Sequence, residues 1–245
     1  MEDQTRVFGL RAIIEAINTG QEIEKVYLQK GLQGHLARQL EQLVRTNKIA
    51  LSYVPVEKLN KLSRHQNHQG AVASISAISF KDLEETLTRI QKEKESPLLL
   101  LLDQITDVRN LGAILRTAEC TGVDAVVIPS HGSAPINADA IKTSAGAAFN
   151  IPICKVEQVL DALFLIQGMG IQAVAVTEKS KSTIYDIDLT GPTALIMGSE
   201  GKGISNKVLK QADAEGSLPI LGSIESLNVS VACGAVLYET LRQRM

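Results

Sequence analysis

The sequence predicts an α/β protein in two parts: a small mixed module over residues 1–75, then a larger domain over 97–245 built on a doubly wound parallel sheet. Three observations carry this. Apolar runs of strand length recur at Leu98–Leu102, Ala125–Ile128, Ile151–Val156, Gln172–Val176, Ala194–Met197 and Ser217–Ile220. Most of these runs are apolar almost throughout rather than alternating, as strands covered on both faces must be. Segments of helical spacing separate them, near Leu111–Thr121, Ala138–Ala145, Val159–Gln167 and Ser205–Gln211, and a last helix runs from about Leu227 to Gln243. Such strand–helix alternation builds layered α/β domains.

The first module is read in the same way. Leu10, Ile13, Ile14 and Ile17 predict a helix within Val7–Asn18, which Gly20 stops. Lys25–Gln29 reads as a strand, and Leu36–Asn47 as an amphipathic helix with Leu36, Leu40, Leu43 and Val44 on one side. Ala50–Val54 is a second strand, Val56–Leu62 a short helix and Gly70–Ile75 a third strand. Residues 76–96 are assigned to a linker helix whose Phe80, Leu83, Leu87 and Ile90 share one face. A solvated bridge is the preferred reading of it, with packing on the second domain as the other.

Composition sets bounds. A chain of 245 residues can bury a sizeable core, and 44% hydrophobic with 21% charged residues suits a soluble globular protein. The net charge of −2 conceals an asymmetry, because residues 1–75 hold ten Lys/Arg against seven Asp/Glu and the remainder fifteen against twenty. A mildly basic first module can meet a polyanion. With 3% aromatics and no Trp, an oligonucleotide-binding surface built on stacking platforms is not expected. The start Met1-Glu2-Asp3-Gln4 shows no targeting pattern, and no apolar run nears the roughly 20 residues of a membrane span, so a cytoplasmic location is expected. Cys120, Cys154 and Cys233 lie far apart in apolar contexts, which predicts buried thiols and no metal set. His65 and His68, without Cys or carboxylate neighbours, predict a polar hydrogen-bonding loop over 65–70 rather than a metal site.

Three motifs carry candidate chemistry. Asn110-x5-Arg116 follows the Leu98–Leu102 strand and opens a helix, where Asn110 suits the N-cap. Arg116 stands in an otherwise apolar helix, a setting in which a permanent cation commonly holds a phosphate or carboxylate. The second motif is the turn Gly198-Ser199-Glu200-Gly201-Lys202-Gly203. It is no P-loop, because Ile196 occupies the first glycine position and Gly203 the Ser/Thr position. It is no dinucleotide fingerprint either, since Asn206 stands where the third glycine belongs. Glu200 inside the turn is placed to orient a ligand. The third motif, Ser226-Leu227-Asn228-Val229-Ser230, opens the last helix, with Ser226 a suitable N-cap and Asn228 able to offer its amide to a substrate.

In this order and spacing, the motifs resemble the SpoU (TrmH-like) branch of the SPOUT RNA methyltransferases, and the likeness covers nearly the whole chain. The first module, from Phe8-Gly9 through His68-Gln69-Gly70, resembles that family's L30e-like RNA-binding domain. The resemblance implies a SPOUT domain with a C-terminal trefoil knot, S-adenosylmethionine as cofactor, no metal, no membrane and a homodimer. It implies methyl transfer to a ribose 2′-hydroxyl of rRNA, with a guanosine of bacterial 23S rRNA as the expected target. A tRNA methyltransferase and a non-catalytic RNA-binding or ribosome-assembly factor are the alternatives. Gly198, Leu218, Ile220 and Leu227 match cofactor-binding positions; Arg116, Asn110, Glu200, Ser226 and Asn228 match the catalytic set. In two places the chain departs from the pattern. Val108 stands where relatives commonly have proline, and Gln104 where glycine is frequent.

Overall fold

The computed structural model describes residues 6–76, 78–224 and 226–245, so the acidic start Met1–Gln4 and Glu225 lie outside the described residues. The chain divides after Ser79 into two compact units.

In the first unit, β1 (Arg6–Phe8), α1 (Leu10–Asn18), β2 (Ile23–Gln29), α2 (His35–Thr46), β3 (Ala50–Val54), α3 (Val56–Leu62) and β4 (Ala71–Ile75) follow one another. The strands form a sheet in the order β1-β4-β2-β3. Ile13, Ile14 and Ile17 of α1 and Leu40 and Val44 of α2 pack with Val26, Leu28, Ala71 and Ala73 on one sheet face. Leu59 of the shorter α3 packs with Val54 and Val72 on the other. Sequence periodicity did not reveal β1, which has only three residues to show alternation. The loop at 65–70 is polar and bonded as expected: His68 Nε2 meets Asn60 Oδ1 at 2.9 Å, and Gly70 N donates to His68 Nδ1 at 3.0 Å.

The second unit opens with α4 (Leu83–Glu93). Its Leu83, Leu87 and Ile90 are buried against strands of this unit, which corrects the solvated-bridge reading. The apolar face decides the outcome, because burying three such side chains outweighs leaving them in water. Then come β5 (Leu98–Asp103), α5 (Val108–Cys120), β6 (Ala125–Pro129), α6 (Ala138–Thr143), β7 (Ile153–Val156), α7 (Val159–Gly168), β8 (Gln172–Val176), β9 (Thr193–Gly198), α8 (Asn206–Leu209), β10 (Ala214–Gly216) and α9 (Val229–Arg244). All paired neighbours run parallel, in the order β10-β8-β9-β5-β6-β7. Leu98–Asp103 is buried at every position, as a central parallel strand requires. α4, α7 and α8 cover one face, and α5 lies against α6 and α9 on the other. The strand expected at Ser217–Ile220 forms earlier, at Ala214–Gly216, beside Val174–Val176. Pro219 cannot donate to a ladder, so pairing ends before it.

The end of α9 is pinned to the start of the domain. Arg244 donates to the carbonyls of Ser96 (2.8 Å), Leu189 (2.9 Å) and Gly191 (2.6 Å). Cys154 and Cys233 are buried as expected; Cys120, the last residue of α5, is exposed instead. Among the described residues no helix is long and apolar enough to cross a membrane, and no group of three metal-ligating side chains occurs.

Candidate active site

Strand order locates the site. The chain leaves β5 towards β6 on one side and leaves β9 towards β10 on the other, so the connections diverge above this central pair. Open α/β sheets bind ligands at such a switch point, beyond the carboxyl ends of the strands. Here the last residues of the two strands, Asp103 and Gly198, are register partners. The Asp103 carboxylate is buried and accepts from Ser205 N at 2.7 Å, which fastens the chain just beyond the glycine turn.

The turn itself is compact. Ser199 and Gly203 exchange two backbone hydrogen bonds, of 2.9 and 3.2 Å, and Gly201 and Gly203 have φ of +88° and +69°. A Cβ on Gly198 would overlap the backbone of Gly203 and Ile204. Gly198 is therefore demanded by the returning chain of its own turn. Glu200 is left at the tip of this fold, exposed.

Asn110, Glu200 and Asn228 form a closed hydrogen-bonded triangle. Asn228 Nδ2 donates to Glu200 Oε1 at 2.6 Å and to Asn110 Oδ1 at 3.0 Å; Asn110 Nδ2 donates to Glu200 Oε1 at 3.2 Å. The amide orientations follow from the helix. Asn228 is the N-cap of α9, its Oδ1 accepting from Ser230 N (3.0 Å) and Val231 N (3.4 Å), so its NH2 must face the other way. Val229 N adds a third donor to Glu200 Oε1, at 3.3 Å. Among the described residues Glu200 Oε2 has no partner, so one carboxylate oxygen is fixed while the other stays available.

Two capping expectations are corrected. Asp107, not Asn110, caps α5, accepting from Arg109 N and Asn110 N at 2.8 Å each. The helix starts at Val108, which releases the Asn110 side chain for the triangle. At α9 the cap is Asn228 rather than Ser226, because the helix begins two residues later than expected. Both departures from the family pattern sit where the missing residue type would fit. Gln104 has φ +63°, a conformation glycine adopts freely, and Val108 is the first residue of α5, a position proline favours.

A cavity of about 320 Å³ adjoins the triangle. Gly198, Leu218, Ile220 and Leu227 all line it, together with Ser226 and Glu200. Among the described residues of 218–227, none makes a hydrogen bond within the chain. That loop therefore offers backbone N–H and C=O groups to whatever fills the cavity. The volume and the open backbone groups fit a nucleoside-sized ligand held by main-chain contacts. Ser199, Gly201 and Gly203 of the turn line it too, and Val176, Thr177, Glu178, Met197, Val229 and Ala232, which complete the lining, were missed from sequence. For Thr177 and Glu178 a signal existed, since they follow directly on a strand at the ligand-binding edge of the sheet.

Arg116 stands apart. Leu115 and Ala118 on the same helix are buried, but Arg116 is exposed and has no hydrogen bond or ion pair among the described residues. It does not join the triangle. Its neighbour Thr117 packs at 3.7 Å from the position of a Cβ on Gly234 of α9.

Fold and site thus define an α/β domain with a ligand-sized cavity at its switch point, preceded by a separate unit. Comparison with known proteins narrows this class. The SpoU rRNA Methylase family matches residues 97–238, and the RNA 2′-O ribose methyltransferase substrate-binding family matches residues 6–80. The chain is 36% identical to the 23S rRNA (guanosine-2′-O-)-methyltransferase RlmB of Haemophilus influenzae, over 98% of both chains. It is 37% identical to the RlmB of Pseudomonas aeruginosa, over 100% of this chain and 98% of that one. Among solved structures, the SpoU methyltransferase AviRb of Streptomyces viridochromogenes, in complex with AdoMet, aligns with a TM-score of 0.61 and 28% identity, covering 98% of this chain and 90% of that one. The chain belongs to the SpoU rRNA methylase family. It is an RNA methyltransferase that uses S-adenosylmethionine.

Proposed function

We propose that this protein methylates a ribose 2′-hydroxyl of ribosomal RNA, on a guanosine of bacterial 23S rRNA. The observation that carries this reading is the shared wall: Glu200 belongs both to the Asn110–Asn228 triangle and to the cavity lined by Gly198, Leu218, Ile220 and Leu227. A polar cluster that can orient a hydroxyl thus adjoins a compartment that fits the cofactor. The RlmB relatives favour rRNA as substrate, because they match over 98–100% of this chain. A tRNA-modifying TrmH/SpoU enzyme of A. aeolicus covers only 66% of it.

The cofactor supplies a methyl group on a sulfonium, already activated for attack. This chain's residues then have to place and deprotonate the hydroxyl. Gly198, Leu218, Ile220 and Leu227 hold the cofactor, largely through main-chain groups. Glu200 Oε2 accepts from the ribose, and Asn110, Asn228 and Ser226 fix its orientation. Arg116 cannot serve as a base, since a guanidinium does not lose its proton in proteins. It holds the adjacent RNA phosphate and stabilises the developing alkoxide, while that phosphate takes the proton. Its exposure suits a role towards the RNA rather than the cofactor.

The finer features of the family belong to the same reading: an L30e-like first unit, a trefoil knot closing the cavity loops, a cytoplasmic homodimer. The exposed apolar Val231 and Tyr238 on α9 support a dimer face on that helix. Incubating the full chain with methyl-labelled cofactor and either unmodified 23S rRNA or bulk tRNA tests the reading. Label in rRNA is the expected result. Label in tRNA alone, or in neither, overturns it.

A further inference from the structure

One face of the sheet in the first unit gathers cations around a ring. Arg6 of β1 and Lys25 of β2 are both register partners of Ser74 in β4, so the three form one cross-strand row. Two residues along β2, Tyr27 lies on the same face, opposite Ser52 of β3. Lys25 Nζ lies 5.3 Å from the Tyr27 ring centroid, and Lys58 Nζ of α3 lies 5.8 Å from it. α3 has only seven residues and leaves Lys58 exposed and Lys25, Tyr27, Ser52 and Ser74 half-buried, while the exposed Arg6 spends one guanidinium N–H on the Leu62 carbonyl at 2.8 Å and keeps the rest for a ligand. Glu24 is the carboxylate felt at this ring: the phenol pKa is raised first by burial and then by Glu24, with Arg6 opposing.

We infer that this sheet face is an RNA contact site, in which an unpaired base stacks on Tyr27 while Arg6, Lys25 and Lys58 meet the flanking phosphates. The inference rests on the functional reading above and adds to it where the RNA binds. Single-stranded RNA is recognised by aromatic rings that stack bases and by cations that track phosphates, and a half-open sheet face supplies both. The lysine–ring contacts are weak in water, so either lysine can swing from the ring to a phosphate as a base arrives. Low aromatic content predicts no surface built on stacking platforms, and this face departs from that expectation by offering the Tyr27 ring with Lys25 and Lys58 over it and Arg6 in the neighbouring row.

The test uses the full chain, an unmodified 23S rRNA transcript and filter binding over a range of salt. Exchanging two phosphate contacts by Lys25→Gln with Lys58→Gln should make the slope of log affinity against log salt shallower by about 1.4. Tyr27→Leu keeps an apolar side chain beside Leu59 and Val72 and should weaken binding about 5- to 150-fold, whereas Tyr27→Phe should bind like the parent. Cofactor affinity, measured by calorimetry, should be unchanged in all three. If Tyr27→Leu unfolds the unit, the lysine pair decides through its slope. A wild-type slope in that pair, in protein that still methylates rRNA, overturns the contact site and leaves the functional reading standing. If the parent neither binds nor methylates rRNA, both fall.

Discussion

Asn228 Nδ2 donates to Glu200 Oε1 at 2.6 Å, which joins the N-cap of the last helix to the tip of the glycine turn. The same amide caps α9 through its oxygen, so helix start and carboxylate position are one constraint. Asn228→Asp separates the two. It preserves the capping acceptor but sets a second carboxylate against Glu200. Two adjacent carboxylates raise the affinity of the pair for a proton. Methyl transfer by this variant should fall at least tenfold at pH 7.5, and its activity relative to the parent should rise as pH is lowered towards 5.5. Asn228→Ala should lose activity without that recovery, and about 1 kcal/mol of stability with the cap. A pH-independent ratio for Asn228→Asp would contradict the coupling.

Arg116 is exposed and has no hydrogen bond or ion pair among the described residues, so Arg116→Ala should change stability by less than about 0.5 kcal/mol. Its methyl transfer should fall by at least 100-fold while calorimetric cofactor affinity stays within about twofold. Full turnover in this variant would remove Arg116 from the mechanism.

Gly198→Ala forces the Gly203–Ile204 backbone to move, because the new methyl would occupy its place. Cofactor affinity should fall more than tenfold, since the same turn walls the cavity. Wild-type affinity would mean that the turn relaxes independently of the cavity.

Val108→Pro should stabilise the protein by about 0.4–1 kcal/mol, read as a higher melting temperature. Val108 is the first residue of α5, and the capping bonds of Asp107 go to Arg109 N and Asn110 N, so proline removes none of them. Asp107 is already extended, at φ −87° and ψ 124°, as a residue before proline must be. A lower melting temperature would show that the loop before α5 needs its present freedom.

What could be read in advance follows from where the information lies. β5 and β9 were legible because their runs, Leu98–Leu102 and Ala194–Met197, are apolar throughout and buried on both faces. Asn110, Glu200 and Asn228 were legible as polar residues in turns at strand or helix ends. That Asn228 rather than Ser226 caps α9 was not, because Ser and Asn are comparable caps and only the contact with Glu200 selects between them. Arg244 left no sequence signal at all. Its partners are carbonyls at Ser96, Leu189 and Gly191, groups every residue possesses and only the folded chain brings together. Thr177 and Glu178 differ: their place directly after a strand was a signal, but that they reach this cavity depends on the position of β8 in the sheet order.

The most direct measurement of the central claim is the chemical position of the transferred methyl. A 2′-O-methyl group blocks alkaline cleavage at its own nucleotide, because the attacking hydroxyl is gone. After reaction of 23S rRNA with methyl-labelled cofactor and this protein, alkaline hydrolysis should leave the label in a stable dinucleotide whose 5′ residue is 2′-O-methylguanosine. Label recovered in ordinary mononucleotides, as base methylation would give, contradicts the account.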